Sequence, residues 1–522
     1  VDLFVWLESR WRDVSNGSKT VFTVSLAANF LAFGFLFANL SLNHDGFGFI
    51  TIDGSWARST GRWATDILYA VFFRNHQLIW LHGILGSALF VATGMSVCRT
   101  LGVRLLPARL IVVLLYSLFP YMCSYYGYAF HVPIYAFACL LVHYSVELAC
   151  KGARGAAVGS VLVMLSLACY QAFIASAATL ALAACAAELA KADGRGQAAA
   201  ALRMLGRAAL MFVSGGVLYA VSIKISTSVF NIQLTTYQGA AGLLSFDWAA
   251  IIAGLPSVAW ETARFLGMRL PSIYPESLYF TPTHKLMCLA VYAAAFAGLW
   301  ASGRMMAARI GACALFLAAL FAPRAVQVFH PGGNYHELTL TGYGVFIAAS
   351  AAFAMNVSGR WPRTGVQAVV ALLIAGFLHS NNVGASALVF DYQAIMHWGN
   401  RILARVEQHP RYSAPPAGAV RKAVFVGDLY KVSEWYYRGR PFVQAVGIAD
   451  GVPNIIFDAI FRLLRVNAST DGLSDGSRRQ AAAFAAGRPA WPHPDSVTVL
   501  EDGTIVVILD NSPAALKALE PH

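Results

Sequence analysis

Long runs of Leu, Ala, Val and Phe that carry almost no charge divide this chain, and Lys and Arg gather in the short loops between them. This pattern restricts the fold more than any other feature, because a helix needs roughly 20 mostly apolar residues to cross a bilayer. Runs near residues 20–41, 78–98, 110–126, 130–149, 205–224, 286–302, 306–322, 338–356 and 365–380 fit that requirement. The run from Ala156 to Leu189 is too long for one helix of ordinary tilt and is interrupted by Tyr170 and Gln171, so it reads as two helices that turn at this pair. The expected total is about 11 spans. A β-barrel would show short alternating segments instead. With 58% hydrophobic and 12% charged residues the chain is not a soluble globular protein, and the fold class is an all-α polytopic membrane protein.

The formal net charge of +12 does not point to nucleic acid. Its basic residues, such as Arg99, Arg104, Arg109, Lys151, Arg154, Lys191, Arg195, Arg203 and Arg207, recur in alternate loops, and the turns at 120–131 and 170 have none. That asymmetry places the amino terminus and the basic loops in the cytoplasm. Residues 1–19, with Trp6, Arg10, Trp11, Arg12 and Lys19, read as an interfacial lead-in, and the first apolar run has no small-residue cleavage pattern behind it, so it is expected to be retained. Trp248 and Trp260 fall on an expected interfacial helix within 225–284. The eight cysteines show no CxxC spacing and read as small hydrophobes.

Composition changes near residue 411, where Pro415 and Pro416 mark a linker. RKAVFVGDLY then reads as a strand and VTVLEDGTIVVILD as a hairpin turning at Asp502-Gly503. The expected domains are a membrane core over 1–410, with outer loops 41–77 and 225–284, and a small soluble α/β domain over 411–522 on the outer face.

Polar groups concentrate in NHDGFGFITIDGSWARSTGRW, from Asn43 to Trp63, directly after the first apolar run. A glycine-rich loop brings backbone close to a ligand, and Asp45 and Asp53 are candidates for a base or a metal ligand. In the expected topology this loop shares a membrane face with Tyr170 and Gln171, the aromatic turn around His131, and the loop holding Arg324, His330 and His336. Arg62 and Arg324, near hydrocarbon, require anionic partners: a carboxylate or a lipid phosphate. Plainer readings stand beside these. Asp-Gly is an ordinary turn dipeptide, either arginine would also serve as a helix-end anchor, and Tyr170-Gln171 would also serve as a satisfied polar turn. The histidines lack metal-ligand spacing, and Tyr121, Tyr125, Tyr126 and Tyr128 suit an interfacial belt, although aromatic faces also stack on sugars.

The Asp-Gly, the second Asp and the Gly-Arg-Trp before the next span, together with Tyr170-Gln171 in a later apolar segment, resemble the serotype-converting glucosyltransferase family, membrane glycosyltransferases of the C-type fold. The resemblance covers the multi-span core to about residue 381 and leaves out the carboxy-terminal domain. It implies a sugar donor carried on a polyprenyl phosphate, a periplasmic glycan or glycoprotein acceptor, and residence in a bacterial inner membrane. It further implies an acidic base in the first outer loop, assigned to Asp45 or Asp53. Arg62 or Arg324 would bind the donor phosphate, and His44, Arg58, Trp63, His131, Tyr170, Gln171 and His330 would line the substrate site. No motif demands a cofactor, though a divalent metal, Mg or Mn, is used by some members of the wider fold. A transporter or flippase for a lipid-linked sugar is the alternative. It is disfavoured because Glu147, Glu188 and Lys224 sit at span ends and not near the bilayer midplane. A membrane anchor that presents the outer domain would leave the polar loops without a purpose.

Overall fold

A computed structural model describes residues 14–43, 46, 55–74, 76, 78–235, 248–266, 281–302, 305–324, 326–327, 337–355, 360–413, 420–427, 468–469, 473–517 and 519. The chain divides into two compact units, Val1–Ala38 with Gly54–Ala385, and Asn39–Asp53 with Ser386–His522.

The first unit is helical among its described residues. Its elements are α1 (Asn16–Ala38), α2 (Ser55–Ser59), α3 (Trp63–Phe73), α4 (Ile79–Thr100), α5 (Leu106–Ser117), α6 (Met122–Gly127), α7 (Val132–Lys151), α8 (Ala153–Cys169), α9 (Phe173–Ala190), α10 (Arg195–Phe230), α11 (Trp248–Phe265), α12 (Pro282–Ser302), α13 (Met306–Phe321), α14 (Gly342–Ala354) and the first half of α15 (Arg360–Gln408). Among the described residues, eight helices are long and apolar enough to cross a membrane: α1, α4, α7, α9, α10, α12, α13 with the turn that follows it, and α15 from Arg363 on.

Three expected spans fall short of the roughly 20 residues that a full crossing needs. The apolar run at 110–126 breaks near Pro120, so α5 has only 12 residues, ~18 Å of helix against a hydrocarbon core of roughly 30 Å. The 17-residue α8 stops where Tyr170 turns extended (φ −159°), and α9 resumes at Phe173, so the long apolar run does break at Tyr170-Gln171. The third, α14, has 13 residues, all buried, because it runs through the bundle interior against α5, α9 and α12. Conversely, the stretch expected to be loop 41–77 contains α2 and α3, and the latter is closed by Arg74 in the left-handed conformation (φ 47°).

Small residues let the helices approach closely, as expected where packing and not a hydrophobic driving force joins helices in lipid. A Cβ on Gly86 would fall 2.4 Å from Val132 Cγ1, and one on Gly215 2.6 Å from Val163. Outward-facing apolar side chains such as Leu31, Phe72, Val229 and Leu286 are each about 70% exposed, the surface that a lipid-facing bundle presents.

The antiparallel run of α9 and α13 sets the two ends of this bundle. A Cβ on Gly311, early in α13, would lie 3.4 Å from Leu189 at the end of α9, so the 3-10 turn Ala322–Arg324 returns to the start of α9 and packs on it. At the end where α13 begins sit the basic loops. There Glu147 is buried under Arg99 (2.9 Å), Lys151 (2.9 Å) and the Ser96 hydroxyl (2.8 Å), and Arg109 donates to Ser18 Oγ at 2.8 Å. The opposite end gathers the polar and aromatic turns.

In the second unit the described strands are β1 (Arg421–Val426), β2 (Ala468–Ser469), β3 (Val497–Val499) and β4 (Ile505–Ile508), in sheet order β2-β1-β4-β3. β1 is parallel to both neighbours, while β3 and β4 form an antiparallel hairpin that turns through Gly503 (φ 83°). Ala481 and Ala485 of α16 (Asp475–Ala485), which Ser474 caps by accepting from Ser477 N at 3.0 Å, bury Val424, Val426, Val506 and Ile508. A short α17 (Pro513–Lys517) follows. The lower half of α15 carries Arg401 and Arg405 over the ring of Trp491, at 5.4 and 4.3 Å. Ser41 Oγ donates to the Leu388 carbonyl at 3.0 Å, which ties the first loop to α15 within this unit.

Candidate functional site

Three segments distant in sequence meet at the polar end of the first unit: the turn Thr60–Trp63 between α2 and α3, the break Tyr170-Gln171 between α8 and α9, and the outer third of α10. Arg62 Nε donates to Gln171 Oε1 at 3.1 Å, and the guanidinium lies over the Tyr170 ring at 4.9 Å from its centroid. Gln171 Nε2 donates to the Thr60 carbonyl (3.1 Å) and to the Tyr219 hydroxyl (2.8 Å), and that hydroxyl donates to the Gly61 carbonyl (3.3 Å). Gly61 takes φ +79°, and a Cβ there would sit 2.8 Å from the Tyr219 oxygen, so the close approach requires glycine. Trp63 Nε1 donates to Ser222 Oγ at 3.1 Å, and Thr65 Oγ1 to the Cys169 carbonyl at 2.7 Å. Arg58 is paired with Asp66 at 2.9 Å and lies over the Phe230 ring.

Aromatic rings line one side of Arg62. Tyr170 packs on Tyr135 (4.5 Å between centroids), Tyr135 on His131 (5.6 Å), and His131 on Tyr69 (5.6 Å). Burial, together with the positive charge of Arg62 and the neighbouring His82, pushes the His131 pKa down to about 3, so this ring is neutral at physiological pH. A neutral ring beside a guanidinium and phenolic faces suits a sugar better than a second cation would.

A second cluster lies at the same end. Arg324, 7% exposed, donates from Nε to the Tyr343 hydroxyl at 3.1 Å and reaches Glu261 of α11 at 3.7 Å. Glu261 is also ion-paired with Arg264, Tyr343 donates to Thr262 Oγ1 at 3.5 Å, and Phe265 stacks on the Tyr343 ring at 3.6 Å. The anionic partner that Arg324 requires is thus a protein carboxylate. Tyr125, stacked on Phe173 at 5.2 Å, donates to the Leu338 carbonyl and brings the 3-10 turn Glu337–Thr339 to this end as well.

Of the residues expected at the site, Arg58, Arg62, Trp63, His131, Tyr170 and Gln171 come together, and Arg324 stands at the same end in a cluster of its own. His44, Asp45, Asp53, His330 and His336 lie outside the described residues. Sequence reasoning missed Tyr219, Ser222, Glu261 and Tyr343. Tyr219 and Ser222 sit three residues apart within the apolar run 205–224, a spacing that places both on one helix face and was the available signal. Among the described residues no group of three or more His, Cys, Asp or Glu side chains is placed to hold a metal ion.

Residues 34–258 match the model of a protein family described as glucosyl transferase GtrII, a stretch that includes Arg62, Gln171 and Tyr219 and ends before Glu261 and Arg324. No curated protein matches the chain. The likeness carried by the loop motif and the Tyr-Gln break is therefore to the glucosyl transferase GtrII family, over residues 34–258.

Proposed function

We propose that the protein is an inverting glycosyltransferase of the C-type fold with about 11 membrane passes, set in a bacterial inner membrane with its carboxy-terminal domain in the periplasm. It moves one sugar from a polyprenyl-phosphate carrier to a periplasmic surface glycan such as O-antigen or lipopolysaccharide. A carboxylate of the first loop, Asp45 or Asp53, takes the proton of an acceptor hydroxyl. The oxygen attacks the anomeric carbon, and the bond to the phosphate oxygen breaks with its electron pair retained by the departing polyprenyl phosphate. A planar guanidinium facing that phosphate stabilises the charge that develops. Arg62 is assigned this role over Arg324 because it lies within the family-matched stretch, where Gln171 orients its guanidinium. The observation that carries the reading is Arg62 held by Gln171 and Tyr170 within the family-matched stretch, at the end of the bundle opposite the basic loops.

The experiment is incubation of the purified full-length protein with polyprenyl-phosphate glucose and an O-antigen acceptor, with release of free polyprenyl phosphate as readout. Release that depends on acceptor and is lost in Asp45→Asn or in Asp53→Asn supports the proposal. A flippase would move the lipid without cleaving it, so absence of release under conditions where the lipid crosses the bilayer would reject transfer.

A further inference from the structure

We infer that Tyr219 and Gln171 are positioning residues for the transfer reaction, which fix the plane of the Arg62 guanidinium for the donor phosphate; this rests on the reading of Arg62 given above. The polarity of the network is forced. The Thr60 carbonyl can only accept, so the Gln171 amide must face it with its NH2 group, and its oxygen is left for Arg62 Nε. The Tyr219 hydroxyl then accepts from that same NH2 group and donates its one hydrogen to the Gly61 carbonyl. No other assignment of hydrogens satisfies all four contacts.

Chemistry explains why an amide and not a carboxylate occupies position 171. A glutamate there would still accept from Arg62, but it would have no hydrogen for Thr60 or Tyr219 and would set a negative charge against the guanidinium meant for a phosphate. Gln171 orients Arg62 without adding counter-charge. Tyr219, on α10, sits 48 residues from Gln171 and anchors both the amide and the backbone of the Gly61-Arg62 turn. The match is tight, since the same hydroxyl occupies the space that a Cβ at position 61 would need. Ser222, one turn further along α10, secures Trp63, so the arginine is fixed on both sides by one helix. Orientation of this kind is where a transferase gains, because a guanidinium misplaced by an ångström loses much of its hold on a transition-state charge.

The test is a double-mutant cycle on the purified full-length protein, measuring acceptor-dependent polyprenyl phosphate release. Tyr219→Phe and Gln171→Leu should each reduce kcat/KM for the donor about tenfold in the wild-type background. In an Arg62→Lys background, where no guanidinium remains to be oriented, neither should reduce it further. Gln171→Glu should be as impaired as Gln171→Leu although it keeps an oxygen for Arg62. If Tyr219→Phe lowers activity by the same factor in both backgrounds, the hydroxyl acts apart from Arg62 and the inference is overturned. Unchanged activity in both Tyr219→Phe and Gln171→Leu overturns it too. Should Tyr219→Phe unfold, Gln171→Leu alone carries the cycle. If the wild type releases no polyprenyl phosphate, the reading of the activity fails and this inference falls with it; release by the wild type with additive mutants removes this inference alone.

Discussion

Two arginines reach the same end of the bundle and are held by opposite kinds of partner. Arg324 meets the carboxylate of Glu261, which Arg264 also shares, inside a cluster closed by Tyr343 and Phe265. Among its described contacts, Arg62 is oriented by an amide oxygen and a phenol ring, both neutral. A carboxylate cancels charge and locks two elements together; a neutral partner fixes geometry and adds no counter-charge. Arg324 thus fastens α11 to the bundle, and the neutral partners described for Arg62 support the proposal that it meets an incoming anion.

This contrast breaks or sharpens under substitution. The largest effect belongs to Arg62→Ala, which should lower kcat/KM for a polyprenyl-phosphate sugar by a factor on the order of 100 to 1,000 and leave thermal unfolding near that of the wild type. Arg324→Met should do the reverse and cost stability first, by about 2 kcal/mol read as a lower unfolding midpoint in detergent, because the buried Tyr343 hydroxyl loses its charged donor while Glu261 keeps Arg264. A folded but inactive Arg324→Met would erase the distinction.

Next in size is a pH effect. His131 has its folded pKa pushed down to about 3 from an ordinary 6.5, so the folded state refuses a proton that the unfolded state accepts. Stability is then level above pH 6.5 and falls as the pH drops below it, by at most about 2 kcal/mol at pH 5. His131→Gln should flatten that slope, and Arg62→Gln should reduce it, since the Arg62 charge contributes to the shift.

The smallest effect belongs to the second unit and serves as a control. In the β3–β4 turn, burial would raise the Asp502 pKa, but hydrogen bonds from Thr504 N (2.9 Å) and Ser477 Oγ (2.9 Å) outweigh it and hold the carboxyl below its usual range. Its contribution is present above an ordinary pKa of 3.8 and is lost as pH falls through the lower folded value. Because Asp502 is exposed, solvent screens it, and Asp502→Asn should cost less than about 1 kcal/mol. Faster amide exchange in the hairpin of the full-length protein, with unchanged transfer activity, is the expected reading.

Hydropathy revealed the helical class and the break at Tyr170-Gln171, because a polar pair inside an apolar run has to face something polar. Asp502-Gly503 announced its hairpin through turn chemistry. Helix length was harder to read. Polar His379, Asn381 and Asn382 end the hydropathy signal but not the helix, since Asn381 Nδ2 donates to the Leu118 carbonyl and Asn382 Nδ2 to that of Leu31 at 2.9 Å or less, and α15 reaches 49 residues in all. Pro120 divided what read as one span. At the site, Arg62 and Gln171 were conspicuous as polar groups in apolar surroundings. Tyr219 was not, since a tyrosine within a span reads as core until its hydroxyl is seen to meet Gln171. Glu261 was hidden because α11 read as a helix on the membrane surface, whose polar residues face water by default.

The most direct test compares the affinity of the purified protein for polyprenyl phosphate, the leaving group itself, among wild type, Arg62→Ala and Arg324→Met. Binding weakened by about tenfold or more in Arg62→Ala and nearly intact in folded Arg324→Met is the predicted result. Equal affinity in wild type and Arg62→Ala would contradict the assignment of this end of the bundle as the place where the lipid phosphate is held.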